Sequence, residues 1–282
     1  MIRHYLRLSY RTILEWLYAR QRYKLFLREA LPATQRRTLE VASLLDHFAS
    51  TVRPIPVTAP FGRSMLVLAP HQDDEAIGCG GVLALQVASG QSAHIVLVYD
   101  SAGDHDEQAE ERAALCRLRN EESRRAATVI GLSPAFLSIR SPVTDISAGA
   151  FMIEEYIKKH DIDVIFTPWL LDTHHDHRTT NSMLASALQS IDRPIRIMCY
   201  EVWGFCLPNV VVRIDDVIET KRTMLEQFAY ANQAIDYTNS TIGMNMYRSR
   251  LLGAGLASYV EAFTEVPSED FMALVDRLDG ME

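Results

Sequence analysis

Residues 64–81 read SMLVLAPHQDDEAIGCGG, an apolar run followed by a cluster of polar and charged side chains. The run at residues 65–69 is typical of a strand that is buried on both faces, and Pro70 ends it. The polar cluster comprises His71, Asp73, Asp74 and Glu75, and the next helix is expected to open with Gly78, Gly80 and Gly81. A strand, an ionisable loop, a glycine turn and a helix in this order predict a site at the carboxyl end of a parallel strand.

A second stretch, residues 163–177, repeats the pattern with the sequence DVIFTPWLLDTHHDH. Residues 164–166 are predicted to form another buried strand, which Pro168 ends. The loop that follows is also ionisable and contains Asp172, His174, His175, Asp176 and His177. Because ligand sites of parallel sheets lie outside the carboxyl ends of the strands, we expect the two loops to meet at one edge of the sheet.

Together, the two loops favour a catalytic metal site. Imidazole nitrogens and carboxylate oxygens suit a zinc-like divalent ion. Taken alone, the first loop is equally typical of an exposed cluster that caps a helix. A ligand from the second loop completes a three-ligand site, whose fourth position is open to water as catalytic zinc requires. Asp73 and Asp74 are expected to point in different directions, so that one binds the metal while the other transfers protons.

The order of elements predicts an α/β fold. Strand, loop and helix alternate four times with short connections, which indicates a parallel sheet with right-handed crossovers. From residue 195 the pattern changes, and two apolar runs, residues 196–202 and 210–214, are predicted to be edge or antiparallel strands. The glycines of residues 78–81 have the wrong spacing for a dinucleotide-binding loop, and the acidic residues before them would repel a pyrophosphate.

The composition limits the class of protein. The 282 residues include 48% apolar residues, which is enough for a substantial core. A net charge of -8 argues against broad nucleic-acid binding. The four cysteines show no CxxC spacing and are expected to be small buried residues in a reducing compartment. No apolar run reaches 18 residues and no signal peptide is visible, so we expect a cytoplasmic protein without a transmembrane helix.

The first part of the chain differs in charge from the rest. Residues 1–40 contain nine Lys and Arg against three Asp and Glu. We predict a basic amphipathic N-terminal helical extension and a proline-rich connector over residues 1–60, followed by a single catalytic domain over residues 61–282. A basic helix within residues 1–31 can contact the inner face of a membrane peripherally, or it can pack on the acidic body or on a second subunit in a homo-oligomer. We favour the packed arrangement.

Both polar loops resemble a known signature. Residues 69–75, APHQDDE, and residues 174–177, HHDH, resemble the motifs of the PIG-L/LmbE-like zinc-dependent N-deacetylase family. Family sequences usually have proline where this chain has Gln72, a position expected to be only a spacer. Softer similarities extend over much of residues 64–263, including Arg119, Glu122, residues 200–203, Lys221 and residues 259–263.

The resemblance implies a Rossmann-like three-layer sandwich with a mostly parallel sheet and antiparallel edge additions. It implies one Zn2+ per chain, held by His71, Asp74 and His177, with Asp73 as the general base and His174 as the general acid or oxyanion stabiliser. Asp176 is expected to hold a histidine ring in one tautomer, or to be a solvated loop carboxylate. Four residues are candidates for substrate binding, each with a purely structural alternative: Arg119, Glu122, Arg178 and Trp203.

The resulting prediction is a metal-dependent hydrolase that removes the N-acetyl group from an N-acetylglucosaminyl-type conjugate, either a small molecule or lipid-linked. The N and O ligands also accept other divalent metals. One alternative is a metal-dependent phosphoesterase, whose second metal would need ligands such as Asp100, Asp104 or His105. Another is a non-catalytic glycan-binding protein that retains zinc, against which the presence of Asp73 and His174 argues.

Overall fold

An eight-stranded sheet forms the centre of the fold, and the apolar run that precedes the first polar loop is one of its strands, buried at every position. The computed structural model describes residues 54–100, 109–143, 145–253 and 255–280. The strands are β1 Ile55–Val57, β2 Ser64–Ala69, β3 Ser92–Tyr99, β4 Ala135–Ile139, β5 Val164–Pro168, β6 Arg196–Tyr200, β7 Val210–Arg213 and β8 Val260–Pro267. The helices are α1 Asp74–Ala88, α2 Ala109–Thr128, α3 Ser147–Lys159, α4 His175–Leu188, α5 Ile218–Leu225, α6 Ala229–Ala234, α7 Tyr237–Arg248 and α8 Ser268–Asp279. Two short 3-10 turns, Asp215–Val217 and Ser249–Leu251, complete the regular structure of these ranges.

The strand order is β1-β7-β8-β6-β5-β2-β3-β4, and most neighbours are parallel. Strand β2 pairs in parallel with β3 on one side and with β5 on the other. Strand β8 is antiparallel to both β6 and β7, between which it lies. The predicted α/β fold, with a mostly parallel sheet and antiparallel additions, is therefore confirmed.

Helices cover the sheet as two groups. Helix α5 contacts both α1 and α2, and helix α4 contacts both α3 and α8. In β2, Met65, Val67 and Ala69 belong to the same buried cluster as residues of α1 and α5. Side chains alternate along a strand, so Leu66 and Leu68, which are also fully buried, face the other side. Burial of β2 on both faces explains its uninterrupted apolar sequence.

Several predicted boundaries were wrong in an informative way. Helix α1 begins at Asp74, so the three glycines lie inside the helix and do not form a turn before it. A Cβ atom at Gly78 would lie 2.2 Å from a ring carbon of Tyr200, and one at Gly81 would lie 2.6 Å from Ile214. These glycines are needed because strand β6 and the chain after β7 approach the helix closely. Likewise α4 begins at His175, so part of the predicted histidine loop is its first turn.

The predicted connector contributes to the sheet. Residues 55–57 form β1, which pairs in parallel with β7 at one edge of the sheet. The predicted basic helix at residues 1–31 lies outside the described residues, as do Asp104 and His105. Among the described helices, none combines the length and the apolar character that a membrane span requires. The division of the chain at residue 60 remains a prediction.

Candidate active site

The two polar loops meet where the strand order reverses. After β2 the chain turns to β3 on one side of the sheet, and after β4 it returns to β5 on the other side. The loops after β2 and β5 therefore flank one crevice, which is where ligands bind in open α/β sheets. His71 and Asp74 come from the first loop and the start of α1, and His177 comes from the first turn of α4.

Three of the predicted site residues form a tight cluster around one carboxylate oxygen. Oδ2 of Asp74 lies 3.2 Å from Nε2 of His177 and 3.4 Å from Nδ1 of His71. In a tetrahedral zinc site with bonds of about 2.1 Å, neighbouring ligand atoms are about 3.4 Å apart. The distances from Asp74 to the two histidine nitrogens therefore suit a metal of that size.

His177 provides an independent test of whether a metal fits. Its side chain is completely buried, and neither ring nitrogen makes a hydrogen bond of acceptable geometry. Buried polar nitrogens without partners are rare and costly. A cation held between Asp74 and the two histidines would satisfy one of these nitrogens, so the residues present fit a metal ion.

Each of the two histidines also has a second carboxylate. Nε2 of His71 is 2.9 Å from Oδ2 of Asp176, whose other oxygen accepts a 2.6 Å hydrogen bond from Ser141. Nδ1 of His177 lies 3.4 Å from Oδ2 of Asp172. Metal-binding histidines commonly have such a carboxylate partner on the nitrogen that does not bind the metal. The position of Asp176 agrees with the role expected for it, whereas Asp172 was given no role from sequence.

His174 is placed differently from the other two histidines. The ligand nitrogens of His71, His174 and His177 all lie within 4.8 Å of one another, so His174 is also close enough to bind a metal. However, its Nδ1 accepts a hydrogen bond from the backbone N–H of Asp176, at 3.2 Å. In neutral His174 the proton must then be on Nε2, which makes this nitrogen a donor. This tautomer suits a hydrogen-bond donor to substrate better than a metal ligand.

Asp73 is held in a strained backbone conformation beside the cluster. Its φ angle is 130°, which residues other than glycine rarely adopt. The backbone N–H of Asp73 donates to Oε2 of the buried Glu75 at 3.0 Å, and Ser123 donates to the other oxygen of Glu75. Strained residues persist where the surroundings fix them, and they are frequent at functional sites. Glu75 therefore serves to position Asp73.

The charges of the cluster act strongly on one another. Burial and the nearby Asp74 raise the pKa of Asp73 to about 7, although Arg119 opposes the shift. Burial lowers the pKa of His177, but Asp74 and Asp172 outweigh it and raise this pKa to about 10. Burial would raise the pKa of Asp74, but the two histidines reverse the effect and lower it. The site thus favours positive charge between Asp74 and the histidines.

The candidate substrate-binding residues are placed in different ways. Arg119 lines the pocket, donates to the backbone oxygen of Gln72 at 2.9 Å and lies 3.5 Å from Asp73. Trp203 also lines the pocket and is 47% exposed. Glu122 is buried and accepts the backbone N–H of Tyr230, and Arg178 donates to the backbone oxygens of residues 172 and 173. Neither Glu122 nor Arg178 is among the described residues that line the pocket.

Gln72 is more than a spacer. Its side chain is buried and its Nε2 donates to Oδ1 of Asn120 at 2.7 Å and to the backbone oxygen of Tyr99 at 3.3 Å. The side chain therefore connects the first polar loop to α2 and to the end of β3. A proline, which the family resemblance leads one to expect at this position, has no group that could make these bonds.

The pocket above the cluster has a volume of about 730 Å³ and includes residues that sequence reasoning missed. Tyr99, the last residue of β3, stacks on His71 with ring centres 5.7 Å apart. Another wall is formed by Tyr230, Tyr237 and Trp203, and the last two rings meet edge to face. From sequence, only the position of Tyr99 at the end of a predicted strand indicated that it could line the pocket. No local sequence pattern indicated this for Tyr230 or Tyr237.

Three solved structures share this fold. The conserved protein TT1542 from Thermus thermophilus is 22% identical, and the match covers 72% of this chain and 94% of that protein with a TM-score of 0.61. The N,N'-diacetylchitobiose deacetylase from Pyrococcus horikoshii is 20% identical over 89% of this chain and 93% of that one, with a TM-score of 0.61. The 4-carboxy-2-hydroxymuconate hydratase GalB from Pseudomonas putida is 18% identical over 73% and 96%, with a TM-score of 0.59.

At these identities the structural matches show the fold alone, since a deacetylase and a hydratase share it. The match to a sequence family is narrower. Residues 66–188 match the family described as PIG-L: GlcNAc-PI de-N-acetylase. This range contains both polar loops and every residue of the cluster around Asp74. The predicted resemblance is therefore confirmed for residues 66–188, which match the PIG-L family model.

Proposed function

We propose that this protein is a metal-dependent N-deacetylase that hydrolyses the acetamide of an N-acetylated amino sugar. The observation that carries the proposal is the cluster in which Asp74 lies 3.2 Å from His177 and 3.4 Å from His71, with Asp73 and His174 beside it. Amide hydrolysis by a metal-activated water uses metal ligands, a carboxylate that accepts a proton and a donor to the carbonyl oxygen, and this cluster contains all three.

His71, Asp74 and His177 would hold the metal, and zinc is the ion we expect. When bound, such an ion lowers the pKa of a water ligand and polarises an amide carbonyl. Asp176 holds the ring of His71 through its Nε2, which leaves Nδ1 for the metal. Asp172 faces Nδ1 of His177 at 3.4 Å, a longer contact than the one between Asp176 and His71, and leaves Nε2 for the metal.

Asp73 would transfer protons, and His174 would stabilise the charge that develops during the reaction. Asp73 is the last residue before α1, and it lines the pocket beside the ligand cluster. We assign it the removal of a proton from the attacking water. His174 presents a protonated Nε2, because Nδ1 accepts the N–H of Asp176. We assign His174 the stabilisation, through this N–H, of the negative charge that develops on the carbonyl oxygen, and the proton that Asp73 takes up passes to the departing amine.

The shape of the pocket supports a sugar conjugate as substrate. A volume of about 730 Å³ is within the range of pockets for small molecules. The aromatic wall of Trp203, Tyr230 and Tyr237 offers apolar faces for a sugar ring, and Arg119 offers a donor near Asp73. The Pyrococcus protein with this fold is a deacetylase of N,N'-diacetylchitobiose, which agrees with the same chemistry for this chain.

The test is release of a primary amine from a panel of N-acetylglucosaminyl compounds: the free disaccharide, a thioglycoside and a lipid-linked conjugate. The protein is assayed after metal removal and after addition of Zn2+. We expect turnover of at least one compound with metal and none without it. Asp73→Asn should lower kcat about 10²–10⁴-fold with unchanged metal content. Metal-dependent turnover that is equally fast in Asp73→Asn would contradict the proposed role of Asp73.

A further inference from the structure

Asp172 joins the metal-site histidine to a part of the pocket that lies on another loop. Its side chain is completely buried. Oδ1 accepts the backbone N–H of His174 at 2.9 Å. Oδ2 accepts the backbone N–H groups of Trp203 at 3.1 Å and Gly204 at 3.2 Å, and it also lies 3.4 Å from Nδ1 of His177. One carboxylate thus contacts the loop after β5, the imidazole and the loop after β6.

The loop after β6 packs directly on Asp172. A Cβ atom built on Gly204 would lie 3.3 Å from the Cα of Asp172 and 3.5 Å from the backbone oxygen of Leu171. The first of these contacts is tighter than ordinary van der Waals packing, so a side chain at this position would push the two loops apart. The hydrogen bonds from Trp203 and Gly204 to Asp172 depend on this close approach.

The far end of the same loop has a separate anchor. Glu201 is buried, accepts the backbone N–H of Cys206 at 2.8 Å and pairs with Arg248, whose Nε donates at 3.0 Å. These hydrogen bonds connect the loop to α7 rather than to the histidines. The loop is therefore fixed at two places, of which the one at Asp172 reaches the metal site.

We propose that Asp172 is a positioning residue that couples the orientation of His177 to the position of Trp203. The proposal rests on the metal site of the proposed function. Because coupling between two binding sites is reciprocal, displacing the Trp203 loop should weaken metal binding, and metal binding should order the loop. Metal binding then shifts Trp203 towards the position for substrate by the same factor by which the loop strengthens metal binding.

The test measures binding of Zn2+ alone, by competition with a chromophoric chelator, in the full chain. Asp172→Asn should weaken Zn2+ binding about 10–100-fold, because it removes the carboxylate partner of His177. Gly204→Val touches no histidine, yet it should weaken Zn2+ binding several-fold, because it separates the loop from Asp172. Glu201→Gln is the matched control at the other anchor and should leave the Zn2+ affinity within about twofold of wild type.

A second readout follows the loop itself. Zn2+ should change the tryptophan fluorescence of the wild type, and Trp203→Phe should lose this change. Asp172→Asn at saturating Zn2+ should lose it as well. Circular dichroism shows whether Asp172→Asn folds. If it does not, the test uses Gly204→Val alone. Wild-type Zn2+ affinity in Gly204→Val would overturn the coupling, whereas a wild type that binds no Zn2+ would overturn the metal site itself.

Discussion

Asp74 and His174 both lie close enough to His71 and His177 to complete a three-ligand metal site. The two residues differ in whether an atom that could bind the metal carries a lone pair directed at the histidines. Oδ2 of Asp74 faces both histidines, whereas His174 has its Nδ1 occupied by the N–H of Asp176 and carries its proton on Nε2. A nitrogen that bears a proton cannot bind a metal, so we expect Asp74 to be the third ligand.

Two alanine variants separate these assignments. Asp74→Ala should lose the metal, because one ligand disappears and two histidines alone hold zinc weakly. His174→Ala should keep about one metal per chain and lose most of its activity. Elemental analysis of both purified variants decides between them. If the His174→Ala protein were metal-free and the Asp74→Ala protein kept its metal, His174 and not Asp74 would be the third ligand.

At this scale the sequence predicted the residue types well and the contacts poorly. The two ionisable loops predicted a metal site, the family resemblance implied His71, Asp74 and His177 as its ligands, and the structure brings these three residues together. Asp172 received no role, because its importance comes from backbone donors at residues 203 and 204 that belong to a different loop. Contacts of this kind depend on tertiary packing and leave no local pattern.

Helix α1 is held in place by a buried ion pair. Nζ of Lys221 is 2.6 Å from Oε1 of Glu261, and both side chains are almost completely buried. Lys221 also donates to the backbone oxygen of Ile77, and Glu261 accepts the N–H groups of Gly81 and Val82. The pair thereby ties α5 and β8 to the helix whose first residue is Asp74. Breaking one half of such a pair leaves an uncompensated charge in the interior.

Lys221→Met should lower the free energy of unfolding by about 3–5 kcal/mol, because Glu261 stays buried without its partner. The double change Lys221→Met with Glu261→Gln should recover much of this loss. Lys158→Met is the matched control, because Lys158 pairs with Glu154 on the surface of α3, and it should unfold near the wild-type denaturant concentration. Chemical denaturation measures all three. Equal stability of Lys221→Met and Lys158→Met would show that the buried pair contributes nothing to the fold.

Elements were predictable where one local signal decides them. Strands β2 and β5 are uninterrupted apolar runs, and both were expected in their observed places. The glycines of α1 were misplaced, because the atoms that require them belong to Tyr200, Lys221 and Ile214, which are remote in sequence. Helix α7 begins at Tyr237, in a stretch rich in Thr, Asn and Ser, because Asp236 caps it by accepting the N–H of Asn239.

For the whole molecule, the architecture followed from the repeated strand–helix pattern, but the pocket did not. The alternation predicted a parallel sheet with its site at the carboxyl ends of the strands, and the structure has that arrangement. The pocket's outer wall comes from residues 230–237 after α5, which no periodicity connects to the polar loops. The fold and the cluster of His71, Asp74 and His177 were thus accessible from sequence, whereas the wall proposed to contact substrate required the structure.

The central claim is that loops far apart in the sequence form one metal site. The most direct test is metal content per chain, by elemental analysis, of the wild type, His71→Ala and His177→Ala purified without chelators. We predict about one zinc in the wild type and almost none in either variant, because each variant removes one ligand of the same ion. If either variant kept as much metal as the wild type, the two residues would not share one site. Two metals per chain in the wild type would favour phosphoester chemistry over the proposed deacetylation.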